Sequence, residues 1–243
     1  MNGPATLAEA LGRTLTDDEL GRCERYLELL LDWNQAMNLV GETAPEVLWH
    51  KHLVDCLLYA RAVGRPASLV DVGSGNGMPG LVMACVLLGT QITLVESLTK
   101  RCTFLTEAAR ALDLTNVEVV CARAEEIGQM AEHRERYHCA TARRVAELSI
   151  LCEYCLPLLA VGGRAVLAKG VDMDAEVAAA SGVPELLGGV FAATLELAAP
   201  EASVAVGEPA QRRYVIIDKT EPTPSAYPRR PGRATKKPLR APA

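Results

Sequence analysis

From Ser68 the sequence alternates short β-branched runs with longer helical ones: SLVDV, GLVMACVLL, QITLVE, KRCTFLTEAARAL and VEVVC. Strands separated by helical stretches of roughly 10 to 15 residues leave few arrangements, since each parallel strand is reached only through a crossover helix. The pattern therefore predicts βαβ units on a parallel sheet with helices on both faces. HCATA and GRAVLAK predict two further strands, with a helix over Leu148 to Leu159 between them and a turn at Gly162 and Gly163. FAATLELA and RRYVIID, separated by a polar loop with no helical pattern, predict an antiparallel pair closing the edge of an α/β sheet of seven strands, mostly parallel.

The segment before the first strand is helical. Thr16 and Glu19 have capping-box spacing, and Leu20, Cys23, Leu27, Leu30 and Leu31 recur at helical intervals. A second helix is predicted over Pro45 to Val63. Residues 1–66 thus form a helical cap, 67–221 the α/β core and 222–243 a tail rich in proline and basic residues.

Charge separates that tail from the body. The chain carries a net charge of -5, but Pro222 to Ala243 holds six basic residues and no acidic one, leaving -11 on the remainder. A basic segment on an acidic body points to an anionic partner, nucleic acid first, and an extended or partly disordered state until that partner binds. Arg229, Arg230, Arg233, Lys236 and Lys237 are the expected contacts, with Tyr227 as a base-stacking residue. On this reading, deleting the tail weakens nucleic-acid binding and spares any cofactor that the α/β core holds. No apolar run approaches the roughly 20 residues that span a bilayer, and the first residues lack a signal-peptide pattern, so a cytoplasmic location is expected. The eight cysteines sit in a long chain with no export pattern, several of them inside apolar elements, and are expected to be mostly reduced and buried. Cys152 and Cys155 form a CxxC with no second pair at zinc spacing, so no metal is expected.

The first strand runs into LVDVGSGNGMPG, with Gly73, Gly75 and Gly77 at alternate positions. Glycine there permits positive φ and close approach of a ligand, at the sheet edge where doubly wound folds bind theirs. A helix beginning near Pro79 would offer free N–H groups to an anion. A dinucleotide fingerprint requires glycine where Met78 stands. A GxGxG loop with Glu96 closing the second strand instead suits S-adenosylmethionine, the ribose hydroxyls meeting the carboxylate. Asp71 either ties down the loop or meets the cofactor's ammonium. His52 and Asp55, one helical turn apart, are expected to fix the cap against the loop, and Trp33 and Trp49 to pack.

Seven blocks in order, NLVGETAPEVLWHKHLVDCL, DVGSGNGMPG, LVESLTKRCTFL, CARAEEI, ARRVAEL, VLAKG and YPRRPGRATKKPL, resemble the RsmG (GidB) family of 16S ribosomal RNA guanine-N7 methyltransferases. The resemblance runs from about Leu27 to Leu239. It implies a class I, Rossmann-like methyltransferase fold, S-adenosylmethionine as cofactor, and a monomer that methylates guanine 527 in the 530 loop of 16S ribosomal RNA, naked or in the small subunit. It places the cofactor on Asp71, Gly73, Ser74, Gly75, Gly77, Met78, Pro79, Glu96, Ser97, Ala124, Glu125 and Arg143. Arg143, Lys169 and Arg212 are the implied catalytic positions, and Arg144 is assigned to RNA, with an exposed ion pair as its alternative.

Four positions depart from the family. Ala142, Arg143 and Arg144 stand where Ser-Arg-Ala is usual, leaving open which arginine enters the site, and Cys56 and Ala234 replace a serine and a proline. Two other readings remain: a class I methyltransferase for a small molecule or protein, and an RNA-binding module without catalysis. Guanine N7 carries a lone pair and no proton, so methyl transfer to it needs no general base, which agrees with the lack of an evident catalytic dyad.

Overall fold

The computed structural model describes residues 3–170 and 172–240. The first two residues of the cap and the last three of the tail lie outside them. Seven strands form one sheet in the order β3-β2-β1-β4-β5-β7-β6. β1 (Ser68–Val72), β2 (Gln91–Glu96), β3 (Val117–Cys121), β4 (Tyr137–Ala142) and β5 (Leu159–Lys169) are mutually parallel. β7 (Gln211–Lys219) runs antiparallel between β5 and β6 (Gly189–Ala198), which is the outer edge. The antiparallel edge pair follows from a connection too short for a crossover helix, although its polar loop does contain the short helix Glu201–Ala205.

Alternation along the buried strands divides the core into two layers. Leu69, Ile92, Leu94, Val166 and Tyr214 pack against the cap and the helices Gly80–Val86 and Thr99–Ala111. Val70, Val72, Val95, Leu167 and Ile217 face the helix Leu148–Cys155. Trp33 packs edge-on against Phe104, as its apolar context predicts. Seven of the eight cysteines are buried, and Cys121 is exposed. Among the described residues no helix is long and apolar enough to cross a membrane.

The cap is more segmented than its periodicity predicts. Thr16 and Glu19 form the expected capping box on the helix Asp17–Met37, but a further helix, Gly3–Leu11, precedes it. The predicted helix over Pro45 to Val63 is three pieces, a turn at Pro45–Val47, a π-helical stretch at Leu48–Leu53 and an α-helix at Val54–Val63. From the last of these Tyr59 reaches between β4 and β5, donating to Val166 O at 2.6 Å and accepting from Ala168 N at 3.0 Å.

The tail is the main correction. Instead of standing free, it folds back across the core. Arg134 Nη2 donates to Thr223 O at 2.7 Å and its Nη1 to Tyr227 O at 2.7 Å, and Ala234 is fully buried. Charge density counts only the exposed arginines against folding, whereas this segment also carries prolines and small residues that pack, and the body offers acids that bind it.

Candidate active site at the carboxyl edge of the sheet

The strand order reverses between β1 and β4, so their carboxyl ends open a crevice where two chains leave in opposite directions. The glycine loop leaves β1 there, and Arg143 and Arg144 follow β4. Gly73, at φ +75°, lies so close to the β4 loop that a Cβ would meet Val145 Cγ2 at 2.6 Å. Gly80 is similarly constrained, a Cβ there lying 2.5 Å from both Asp71 Oδ2 and Leu94 Cδ2. Glycine is required at both positions for this packing.

Three cavities follow one another along the edge. The first, about 120 Å³, is lined by Val72, Val95, Ala122 and Val145 and by Gly73, Glu96, Ser97, Ala124, Glu125 and Tyr154. The second, about 410 Å³, shares Gly73 and adds Ser74, Gly75, Met78, Lys51, His52 and Arg101, ending on Arg143 and Arg144. Those arginines also begin the third, about 310 Å³, which holds Asp55, Lys169, Glu208, Arg212 and Tyr214.

Glu96 holds the first two cavities in register. It is buried, and its carboxylate accepts Gly75 N at 3.0 Å, Ser97 N at 2.7 Å and Leu98 N at 2.8 Å. Asp71, Gly77 and Pro79, all named from the resemblance, line none of the three cavities. Asp71 accepts Gly80 N at 3.2 Å and the Thr141 hydroxyl at 3.0 Å, which fits its loop-holding alternative. Burial pushes its carboxyl up to about 6, against the lowering effect of its hydrogen bonds to Thr141, Ser74 and Gly80. The expected anion site at the helix after Pro79 is also corrected. Gly80 N is taken by Asp71 and Leu81 N by Gly77 O, so those donors are spent within the loop.

Asp55 does different work from that predicted, while buried His52 lines the second cavity together with the glycine loop. The cap is fastened to the loop by Tyr26, whose hydroxyl donates to Asn76 O at 2.7 Å, and by Asn76 Nδ2, which donates to Leu39 O at 3.3 Å. Asp55 accepts from Arg143 Nη1 at 2.5 Å and Arg212 Nε at 2.7 Å. Burial alone would raise its carboxyl, but the two guanidiniums outweigh it and hold it below the usual range. Burial, then Arg143, Arg144 and Lys51, push His52 down to about 4, so this ring is neutral at physiological pH.

The cations fall into two groups. Arg143, Arg212 and Lys169 are each committed; Lys169 donates to Ala146 O at 2.9 Å and pairs with Glu176 at 2.5 Å. Arg144 is exposed, sits in the left-handed region at φ 58° and has no ion-pair partner among the described residues, which sets aside its ion-pair alternative. In the tail, Arg229 is bound to Glu153, and Tyr227 is half-buried against the second core layer. Arg230, Arg233, Lys236 and Lys237 are exposed.

Sequence reasoning missed Tyr154 and the role of Glu153. A signal was present: Glu153 is the one charge in the apolar run LSILCEYC, and a buried carboxylate requires a cation. The match to a family model, described as "GidB: rRNA small subunit methyltransferase G", spans residues 19–205 and with it every element of the first two cavities. The chain belongs to this family. The family is S-adenosylmethionine-dependent and its members are methyltransferases. The relative from Symbiobacterium thermophilum, named ribosomal RNA small subunit methyltransferase G, is 41% identical over 96% of both chains. The one from Rubrobacter xylanophilus, of the same name, is 41% identical over 96% of this chain and 88% of its own. Among solved structures, a point mutant of MtNAS in complex with S-adenosylmethionine superposes with TM-score 0.53 at 13% identity, covering 80% of this chain and 73% of that one. The antibiotic-resistance methyltransferase Kmr gives TM-score 0.52 at 16% identity, over 68% and 92%. At these identities the likeness is one of fold, and this chain has the class I architecture.

The cavities suit that cofactor chemically. A first cavity with apolar walls and two buried carboxylates, Glu96 and Glu125, suits an adenosine with ribose and amino donors, and Gly73 lines both this cavity and the second.

Proposed function

We propose that this chain methylates N7 of guanine 527 in the 530 loop of 16S ribosomal RNA, acting as a cytoplasmic monomer on the RNA or the small subunit. S-adenosylmethionine supplies an electrophilic methyl group that an unprotonated N7 takes by in-line displacement. The protein then has no proton to move, and its work is positioning, which contributes several kcal/mol when reacting atoms are held in line.

The observation that carries this reading is the order of the cavities: a two-carboxylate pocket, a shared glycine wall, and beyond it an arginine-lined opening. Glu96 accepts the ribose hydroxyls while retaining the loop. Ser97, Ala124 and Glu125 flank the adenine, and Ser74, Gly75 and Met78 border the amino-acid end. Arg143 and Arg212, with Asp55 between them, hold guanidiniums at fixed positions for the guanine edge or its phosphates, as planar donors do. Lys169 keeps the β4 loop in place through Ala146. Arg144, without an ion-pair partner among the described residues, takes a phosphate, and Arg230, Arg233, Lys236 and Lys237 extend the basic track.

The test is incubation with tritiated S-adenosylmethionine and small subunits lacking the modification, or their RNA, followed by mapping of the label. Incorporation at N7 of that guanine is expected. Label on another base, or on protein or small molecules alone, rejects the assignment.

A further inference from the structure

Glu125 joins the first cavity to the C-terminal segment. Its side chain lines the cavity, and Oε1 accepts the N–H of Gly232 at 2.8 Å and the hydroxyl of Tyr154 at 3.4 Å. The other oxygen has no donor among the described residues. Tyr154 lines the same cavity and meets Thr235 Oγ1 at 3.4 Å. Two side chains of the pocket wall are thereby fastened to the tail.

The tail is in turn held by an ion pair that the core cannot easily release. Glu153, beside Tyr154 and fully buried, accepts Arg229 N at 2.8 Å, Arg229 Nε at 2.8 Å and Arg229 Nη2 at 2.6 Å. Arg229 Nη2 also donates to Lys237 O at 2.9 Å, closing the loop that contains Gly232. Around the base of that loop Pro228 covers Gly128, where a Cβ would lie 2.7 Å from Pro228 Cγ, and Gln129 Nε2 donates to Pro228 O at 2.8 Å. A carboxylate with no exposure keeps its cation, because losing it leaves an unpaired charge in a medium of low polarity. The Gly232 N–H is consequently presented to Glu125 in one place.

We propose that residues 223–236 brace the wall of the cofactor pocket from behind, with Arg229 and Glu153 as positioning residues that fix Gly232 on Glu125 and so orient the carboxylate and Tyr154 toward the adenine. This rests on the cofactor reading above. It reverses the expectation that the tail serves RNA alone, and it puts an exposed cation, Arg233, next in sequence to a cofactor-orienting amide.

The experiment titrates S-adenosylhomocysteine into the full chain by calorimetry and follows amide hydrogen exchange at Gly232 with and without it. Bound S-adenosylhomocysteine slows exchange at Gly232. Glu153→Gln, which keeps the shape and weakens the pair, loosens S-adenosylhomocysteine by about tenfold, a typical coupling between linked sites, and raises KM for S-adenosylmethionine more than it lowers kcat. Arg229→Lys, which retains the charge but not the fork, loses less. If the native chain binds S-adenosylhomocysteine while Gly232 exchange is unchanged and Glu153→Gln binds as tightly, the pocket-wall proposal is overturned and the cofactor reading stands. No binding by the native chain overturns both. Should Glu153→Gln fail to fold, Gly232 exchange in the native chain decides alone.

Discussion

Asp55 on the cap helix accepts from Arg143 at 2.5 Å across 88 residues of sequence, and the same carboxylate also receives Arg212. One acid thus sets the position of two guanidiniums that lie on separate strand ends of the core. The cap is part of the site for this reason. Asp55→Asn removes the shared counter-charge and leaves Arg143 and Arg212 largely buried without it. Loss of one partner from such a buried pair typically costs about 3–5 kcal/mol, so a lower unfolding midpoint is expected. Methyl transfer should fall by about 100-fold or more if the arginines act only when held, as positioning effects of this kind do. Thermal unfolding and steady-state kinetics on the same preparation measure both.

Glu96 serves the loop as well as the pocket. Removing it by Glu96→Ala is expected to weaken S-adenosylhomocysteine by more than the roughly 1.5 to 3 kcal/mol of one charged hydrogen bond, since Gly75, Ser97 and Leu98 lose their acceptor too. Glu96→Gln keeps one acceptor oxygen and falls between. Calorimetric affinities equal to that of the native chain would remove Glu96 from the pocket.

Asp71 gives stability a dependence on pH with a definite sign. Its folded carboxyl is raised to about 6 from 3.8, so between these values the folded state holds a proton that the unfolded chain has released. Its contribution is therefore fully present below pH 3.8 and is lost as pH rises through 6. The stability of the native chain relative to Asp71→Asn should decline across that window by about 3 kcal/mol in total, then level off. Urea unfolding of both proteins at several pH values between 4 and 7 follows it; a flat or rising difference contradicts the assignment.

Arg144 separates binding from folding. It makes no ion pair among the described residues, and alanine meets the same backbone strain at φ 58° that arginine does. Arg144→Ala is accordingly expected to leave the unfolding midpoint unchanged while weakening RNA and reducing the logarithmic salt slope by about 0.7 to 0.9, one phosphate contact. Filter binding over a salt series reads this out, and an unaltered slope places the phosphate elsewhere.

The strands, the glycine loop and the acid at the end of β2 were legible because each is written in neighbouring residues. Alternation along SLVDV and QITLVE marks which side chains are buried, and the parallel register then carries Gly73 and Glu96 to one edge whatever the rest of the chain does. The antiparallel pair FAATLELA and RRYVIID was visible in the same way, from strand pattern without a crossover helix. Local pattern also misled. Helical spacing over Pro45 to Val63 gave no sign of the π-helical stretch at Leu48–Leu53 that turns Lys51 and His52 into the second cavity.

What the sequence determined by itself is the sheet, its ligand-binding edge and the residues that reach that edge from adjoining loops. Tertiary structure alone decided which charge meets which: Asp55 with Arg212 across 157 positions, Glu153 with Arg229 across 76, and Glu125 with the Gly232 amide across 107. Periodicity records whether a side chain faces the core, but the partner of a buried charge depends on where distant segments cross. That is why a tail whose composition favours solvent ends up folded against Glu125 and Tyr154, behind the first cavity.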